Sequence, residues 1–278
     1  MSIKRPEIGV MAGVENNKNP FPGIAAFNLK TAQITNWQID ELTPEYAAII
    51  RQRMAENNIR IAAYWAGYSG KIVWNNCEGP LTCGIVPPNL RDQRVKELKK
   101  GADFAKLIGA PAIITHCGFI PETPCDPLYK ATVDAISDVA DHCRSIGLGF
   151  WFESGQETPT TLLRTIQDVG LPNLGVNLDT ANLILYGRGN PVDALDVVGP
   201  YVRNLHIKDG NFPTDGRALG KEVPFGEGKA NFAEIIRKLR ALEFTGELII
   251  EREISGDQQK KDIKTAAEKL SVLLDIYY

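Results

Sequence analysis

The sequence lacks an excess of basic residues. Its 278 residues include 31 lysines and arginines against 34 aspartates and glutamates, which gives a formal net charge of −3. A surface that binds nucleic acid must present clustered positive charge to the phosphates. The charge balance therefore argues against a nucleic-acid partner.

Long apolar runs are also missing. No uninterrupted apolar stretch approaches the roughly 20 residues that a membrane-spanning helix needs. The first segment, MSIKRPEIGVMAG, has a short apolar run broken by Pro6 and Glu7, so we expect it to lead into the first strand rather than to act as a signal peptide. These features predict a cytoplasmic protein with no membrane partner.

Cysteine is scarce, and its spacing does not indicate a metal site. The five cysteines form no C-x-x-C pair, so a zinc site built from thiolates is not expected. Free thiols are the usual state of cysteines in a reducing compartment. Cys143 falls on the apolar face of a predicted helix, where we expect a core residue.

The sequence does contain a regular alternation of strand-like and helix-like segments. Nearly continuous apolar runs without strict alternation are typical of a parallel sheet buried on both faces. We predict an α/β fold, a single (β/α)8 TIM barrel over residues 1–278, because no linker or change of composition divides the chain. An open doubly wound sheet is less favoured, because GVMAGVENN lacks the glycine spacing of its phosphate loop. The eight predicted strands span residues 7–12, 32–37, 59–66, 111–116, 148–153, 174–179, 203–208 and 247–251.

Some details of the helices and loops can also be predicted. We expect a helix from about Arg91 to Leu107. Asn231, followed by Glu234 three residues later, predicts a capping-box start of another helix. Residues 67–89 and 209–230 are rich in turn residues and predict long loops, and the first of these should lie over the site.

Four successive strands of this pattern end in a residue that can bind a metal ion. They are Glu153, Asp179, His206 and Glu251. The intervals between the first three residues are about one strand–helix unit, which places them on neighbouring strands. The C-terminal rim of such a barrel carries its chemistry. Three carboxylates and one imidazole suit a single divalent ion, with Mn²⁺ first and Mg²⁺, Co²⁺ or Zn²⁺ as other candidates.

Several segments resemble a known family. ESGQETP, GVNLDTANLILYG, NLHIKD, VPFGEG and LIIERE are similar to the sugar phosphate isomerase/epimerase family, whose barrel is xylose isomerase-like. The resemblance implies that Glu153, Asp179, His206 and Glu251 bind one divalent ion. It also implies that Glu153 and Glu251 are the catalytic acid/base pair.

The resemblance implies a function for the chain. We expect a metal-dependent sugar or sugar-phosphate isomerase or epimerase that abstracts a proton next to a metal-chelated carbonyl and forms an enediolate. Return of the proton on the opposite face gives an epimer, and its return to the neighbouring carbon gives an aldose–ketose isomer. The expected partner is a small-molecule sugar, and a homo-oligomer is compatible with this function.

One residue departs from the family pattern. Ketose 3-epimerases of this family usually have a substrate-contacting histidine three residues after the aspartate, whereas this chain has Asn182 three residues after Asp179. This puts a standard C3 ketose epimerase in doubt without affecting the metal site. Asn182 is predicted to contact the substrate at that position. His116, at the end of the fourth strand, is the candidate to compensate, either as a catalytic residue or as a substrate contact.

Other residues are predicted to contact the substrate. Lys208 should face the same side as His206, because side chains alternate along a strand. Trp65 ends the third strand and could line one face of a sugar, and Gln156 follows the fifth strand. Glu157 and Lys221 are weaker candidates. The GEG segment at 226–228 is expected to be an ordinary turn rather than a phosphate cradle.

Three other functions compete with this interpretation. A metal-dependent lyase or deglycosidase would deprotonate a 3-keto-glycoside at C2 and expel its C1 substituent, with a histidine as the base. A DNA-repair endonuclease with this barrel needs a cluster of zinc ions and many histidines, and the chain has only three. A binding module without activity is disfavoured because all four ligand positions are filled.

Overall fold

The barrel is built from eight parallel strands. The computed structural model describes residues 3–278. Neighbouring strands pair in chain order around the barrel, and the last strand closes it by pairing with the first. This confirms the prediction of a TIM barrel. The barrel strands are β1 (Glu7–Gly13), β2 (Thr31–Asn36), β3 (Arg60–Ala66), β4 (Ala112–Thr115), β5 (Gly149–Glu153), β6 (Leu174–Asp179), β7 (Val202–Ile207) and β10 (Glu247–Ile250).

Helices follow the strands and cover the outside of the barrel. Their apolar residues join one core cluster with the barrel strands, and Cys143 is fully buried in that cluster, as predicted. No helix within residues 3–278 is long and apolar enough to span a bilayer. The helices are α1 (Phe21–Ala26), α2 (Pro44–Asn57), α3 (Gly79–Thr82), α4 (Pro88–Ile108), α5 (Pro127–Ser145), α6 (Pro159–Val169), α7 (Asn182–Leu185), α8 (Pro191–Val198), α9 (Phe232–Ala241) and α10 (Asp257–Tyr277).

Two helix starts differ from the sequence prediction. α4 begins at Pro88 rather than near Arg91, because proline fits the first helical position, where no backbone N–H donor is needed. The predicted capping box at Asn231 is wrong. Asn231 has left-handed backbone angles and makes no side-chain capping bond, whereas a capping side chain normally extends from β-region backbone.

The segment 209–230 contains a short hairpin rather than only a loop. β8 (Asp209–Asn211) pairs antiparallel with β9 (Lys221–Val223). The hairpin follows β7 directly and therefore lies at the C-terminal rim of the barrel. The sequence did not predict it, because three-residue strands are too short to show a periodic pattern.

One carboxylate fixes the end of this segment. The backbone N–H groups of Gly226 and Gly228 both donate to Oδ2 of Asp209 at 2.9 Å. Oδ1 of the same carboxylate accepts from the N–H groups of Gly210 and Ala230 at 2.9 and 3.1 Å. The GEG turn therefore has its N–H groups directed at an acid of the chain itself, and they are not open to a phosphate.

Candidate metal centre

The four predicted ligands lie together at the C-terminal rim. Glu153 and Asp179 are the last residues of β5 and β6, His206 is the last but one of β7, and Glu251 follows β10 directly. One side-chain ligand atom from each lies within 4.8 Å of the others. Because β5, β6, β7 and β10 are neighbours in the barrel, residues far apart in sequence meet at one point. This cluster could bind a metal ion.

The imidazole of His206 is held so that one nitrogen faces the cluster. Its Nε2 lies 3.0 Å from Oε1 of Gln33, an acceptor, and this contact places the hydrogen on Nε2. Its Nδ1 lies 2.9 Å from Oε1 of Glu153 and 3.2 Å from Oε2 of Glu251. A metal-binding histidine is usually oriented in this way by a hydrogen bond from its other nitrogen. Nδ1 is therefore the atom available to an ion.

Asp179 leaves an acceptor atom free. Its Oδ1 accepts the backbone N–H groups of Ala181 and Asn182, both at 2.7 Å. Its Oδ2 is buried without a hydrogen-bond partner among the described residues. It lies 3.7 Å from Nδ1 of His206, which is too long for a hydrogen bond. A buried, unpartnered carboxylate oxygen is costly in the absence of a cation, so the donor set fits a hard divalent ion.

Lys208 balances part of this negative charge from within the protein. Its side chain is only 1% exposed, and Nζ lies 2.7 Å from Oε1 of Glu253 and 3.3 Å from Oε2 of Glu251. Nζ also donates to Oδ1 of Asn182 at 3.3 Å. Burial alone would lower the pKa of Lys208, but the carboxylates of Glu251 and Glu253 outweigh it and hold the pKa well above its usual value. Lys208 is thus a buried cation that holds Glu251 in place.

The charges of His206 and Glu251 stabilise each other, whereas burial raises the pKa of Asp179. Burial alone would lower the pKa of His206, but Glu153 and Glu251 outweigh it and hold that pKa well above its ordinary value. The pKa of Glu251 is well below its usual value, because Lys208 and His206 more than offset the effect of burial. Without an ion, the protonated imidazole therefore occupies the centre of the carboxylates.

A pocket of about 380 Å³ opens over this centre. Trp37, Trp65 and Trp74 line it, and so do Glu153 and Glu251. The ring centroids of Trp37 and Trp65 are 4.8 Å apart. The predicted candidate Trp65 therefore lines the pocket, and its indole N–H donates to Oε2 of Glu153. Trp74 comes from the long segment 67–89, so that segment does reach the site, as expected.

His116 and Asn182 also line the pocket. Nε2 of His116 lies 3.6 Å from Oε1 of Glu153, and the ring packs against Trp74 with centroids 5.3 Å apart. Its Nδ1 is buried and has no hydrogen-bond partner within residues 3–278. Nδ2 of Asn182 lies 3.5 Å from the same oxygen of Glu153. Both residues are thus placed beside a predicted acid/base group.

Other candidates lie elsewhere. Gln156 is buried and does not line the pocket, and neither polar atom of its side chain has a hydrogen-bond partner in the described part of the chain. Lys221 is exposed on β9.

Glu157 is buried in a small, mostly apolar cavity between the barrel and its helices, together with Leu162 and Leu178. Burial raises the pKa of Glu157 to about 8, so its carboxyl group is protonated at neutral pH.

Glu157 should make the protein less stable as the pH rises. An unfolded chain ionises this carboxyl near pH 4.5, but the folded protein keeps its proton until about pH 8. The contribution of Glu157 to the free energy of unfolding is therefore fully present below pH 4.5 and is lost between pH 4.5 and 8. We expect Glu157→Gln to gain stability over wild type across this interval, by about 4 kcal/mol at pH 8. Chemical denaturation at several pH values measures the difference.

Glu122→Gln is the control for this prediction. The pKa of Glu122 is lowered, because hydrogen bonds from Thr161 and Thr158 outweigh the effect of burial. The stability that this carboxylate contributes is present above its unfolded pKa, so the difference between Glu122→Gln and wild type should not change between pH 6 and 8. A Glu157→Gln difference that also stays constant from pH 5 to 8 would contradict the buried, protonated state.

Sequence reasoning missed several residues of the site. Gln33, which orients His206, is visible in the sequence only as a polar residue within the apolar strand segment AQITNW. Trp37 and Trp74 carry no sequence signal of their own, because a single tryptophan just after a strand or within a long loop has no distinctive spacing. Glu253 belongs to the LIIERE segment, yet nothing in that segment indicates that it forms the shortest ion pair of Lys208.

The fold and the centre define a class of protein, a (β/α)8 barrel with a cluster of three carboxylates and one imidazole at its C-terminal rim. The model of the family described as "Xylose isomerase-like TIM barrel" matches residues 21–273. The chain therefore belongs to the xylose isomerase-like TIM barrel family.

Three solved structures are similar to this chain. A xylose isomerase domain protein from Planctomyces limnophilus is 35% identical with a TM-score of 0.93, and the match covers 98% of this chain and 99% of that one. A D-tagatose 3-epimerase-like protein is 20% identical with a TM-score of 0.77 and 98% of both chains covered. A xylose isomerase-like TIM barrel protein from Mycobacterium smegmatis, in complex with magnesium, is 19% identical with a TM-score of 0.72, again with 98% of both covered.

Proposed function

We propose that this protein is a metal-dependent sugar isomerase or epimerase that transfers a proton at a carbon next to a carbonyl group. The observation that carries the proposal is the pair Glu153 and Glu251. Both carboxylates line the same pocket, and both contact Nδ1 of His206, from different strands. Family membership and the D-tagatose 3-epimerase-like protein among the similar structures support an enzyme of this class.

In this proposal, each part of the site has a role. Glu153, Asp179, His206 and Glu251 hold one divalent ion, with Mn²⁺ as the first candidate and Mg²⁺, Co²⁺ or Zn²⁺ as the others. Such an ion, when bound, would polarise a sugar carbonyl and make the neighbouring C–H more acidic.

The acid/base work falls to the two glutamates. One removes the proton from carbon, and the other returns it on the opposite face, or to the neighbouring carbon. Lys208 holds Glu251 by a contact of 3.3 Å, and the indole N–H of Trp65 and the amide of Asn182 hold Glu153.

Proton exchange in D₂O tests this function. The Mn²⁺-supplemented protein is incubated with free ketoses, ketose phosphates and 3-keto-glycosides, and NMR follows deuterium at C2 and C3. We expect deuterium in an intact sugar. Release of the C1 substituent from a 3-keto-glycoside, without exchange into any intact sugar, would contradict the proposal.

A lyase that acts on 3-keto-glycosides is the second candidate, and the position of His116 favours it. Its Nδ1 has no partner within residues 3–278 and its ring lines the pocket, which a histidine base of an elimination reaction would require. The two functions predict different kinetics for one variant.

The variant His116→Ala separates the two functions. For the isomerase or epimerase, we expect KM to rise while kcat falls less than about 10-fold, because the glutamates carry the proton. For the lyase, kcat should fall by about 10²-fold or more with KM little changed, since a base acts mainly in the transition state. Steady-state kinetics on the best substrate give both constants. His142 pairs with Asp103 outside the pocket, so His142→Ala is the control.

A further inference from the structure

The lysine and arginine side chains near the pocket already have partners. Among the described residues, Arg252 is the one lysine or arginine that lines the pocket. Its Nη1 lies 2.8 Å from Oε1 of Glu222, and its Nε lies 2.8 Å from Oδ2 of Asp262. One nitrogen on each of the two edges that bind a phosphate through two hydrogen bonds is thus engaged within the protein.

The second cation of the region is equally enclosed. The ammonium of Lys208 is surrounded by carboxylates of Asp179, Glu251 and Glu253 at 2.7 to 3.8 Å, and its side chain is buried. Lys208 does not line the pocket. A phosphate in the pocket would therefore meet carboxylates before it met this cation.

Backbone N–H groups at one turn and at one helix start of the rim are also occupied. Those of Gly226 and Gly228 donate to Asp209, and those of Ala181 and Asn182 donate to Asp179. Such turns and helix starts are the usual backbone sites for phosphate groups. In this protein these two places are filled by carboxylates of the chain itself.

Part of the pocket wall is apolar and aromatic. Trp37, Trp65 and Trp74 line it together with Met11 and Leu219. Trp74 is 39% exposed, although a tryptophan at the surface of a folded protein is usually better covered. Flat aromatic rings at a pocket provide a rigid apolar surface, on which the C–H face of a sugar ring can pack. The pocket therefore combines apolar aromatic rings with hydrogen-bond acceptors.

From these observations we infer that the site selects an uncharged, unphosphorylated sugar and rejects the phosphate ester of the same sugar. The C–H face of the sugar lies against the tryptophan wall, and its hydroxyl groups donate to the carboxylates Glu153, Glu251 and Glu253. A phosphate dianion would face these acids, while the cations and backbone N–H groups named above are engaged within the protein. The inference rests on the proposed function for the use of this pocket, but it concerns recognition rather than turnover.

Binding measurements test this inference separately from activity. Tryptophan fluorescence and calorimetry, in Mg²⁺ at neutral pH, compare D-fructose with fructose 6-phosphate and D-ribulose with ribulose 5-phosphate. We expect each free ketose to bind at least 10-fold more tightly than its phosphate ester. We also expect Trp74→Ala to weaken ketose binding by about 10-fold. Trp151→Phe, at a tryptophan outside the pocket, should leave it unchanged.

The outcomes separate this inference from the proposed function. A phosphate ester that binds as tightly as the free ketose would overturn the inference, and so would the absence of binding by both free ketoses. If Trp74→Ala binds the ketoses as tightly as wild type does, the sugar does not pack against the tryptophan rings, which would contradict that part of the inference. Free ketose that binds with the expected preference but shows no exchange in D₂O would support the inference while contradicting the proposed isomerase or epimerase.

Discussion

Glu251→Gln is expected to reduce kcat by at least about 10²-fold while the barrel remains folded, because the substitution removes a general base but keeps its size and one oxygen ligand. Glu251 follows β10 directly and lines the pocket. Glutamine at this position can still accept a hydrogen bond from Lys208. Steady-state kinetics and circular dichroism measure turnover and fold in the same preparation.

The matched control for this variant is Glu247→Gln. Glu247 lies at the opposite end of the same strand, where it pairs with Arg60 at 2.8 Å. Glu247→Gln removes one negative charge at β10, as Glu251→Gln does, but Glu247 does not line the pocket. The kcat of Glu247→Gln should therefore stay near that of wild type. Turnover of Glu251→Gln at the wild-type level would remove Glu251 from the mechanism, and an equal loss in both variants would indicate a general effect on the strand.

Asp179→Asn is expected to abolish the stabilisation that a divalent ion gives. An ion that binds only the folded protein at 100 times its Kd stabilises it by about 2.7 kcal/mol. For a chain of this size, we expect a rise in Tm of roughly 5 °C with Mn²⁺. Asparagine keeps an oxygen for the N–H groups of Ala181 and Asn182, but it removes the charge from the free oxygen that faces the cluster. Thermal denaturation with and without Mn²⁺ measures the shift.

Asp138→Asn serves as the control for the metal effect. Asp138 forms an exposed ion pair with Lys99 on the outer helices, far from the rim. Its variant should keep the full shift in Tm. If Asp179→Asn is stabilised by Mn²⁺ as strongly as Asp138→Asn, the ion does not bind where the account places it.

The part of the site that could be predicted from sequence lies at the ends of strands. A strand buried on both faces reads as an apolar run, so a carboxylate or imidazole at its end stands out. Glu153, Asp179 and His206 could therefore be placed at one rim from the sequence alone. The parallel barrel then brings them together, because every strand ends at the same edge.

The residues that support this cluster could not be predicted in the same way. Gln33 orients His206 across the barrel, and the two are 173 residues apart in sequence. Asp209 fixes the turn at Gly226 and Gly228 through four backbone N–H groups, a set of contacts that no local pattern indicates. Such contacts depend on tertiary packing, whereas sequence patterns report the preferences of single segments.

Anomalous diffraction from crystals soaked in Mn²⁺ tests the central claim most directly. The account predicts one strong peak at the C-terminal rim, about 2.0–2.4 Å from one atom each of Glu153, Asp179, His206 and Glu251. Nδ1 of His206 and Oδ2 of Asp179 should be among the contacting atoms. A peak elsewhere, or no peak between these four side chains at saturating Mn²⁺, would contradict the account.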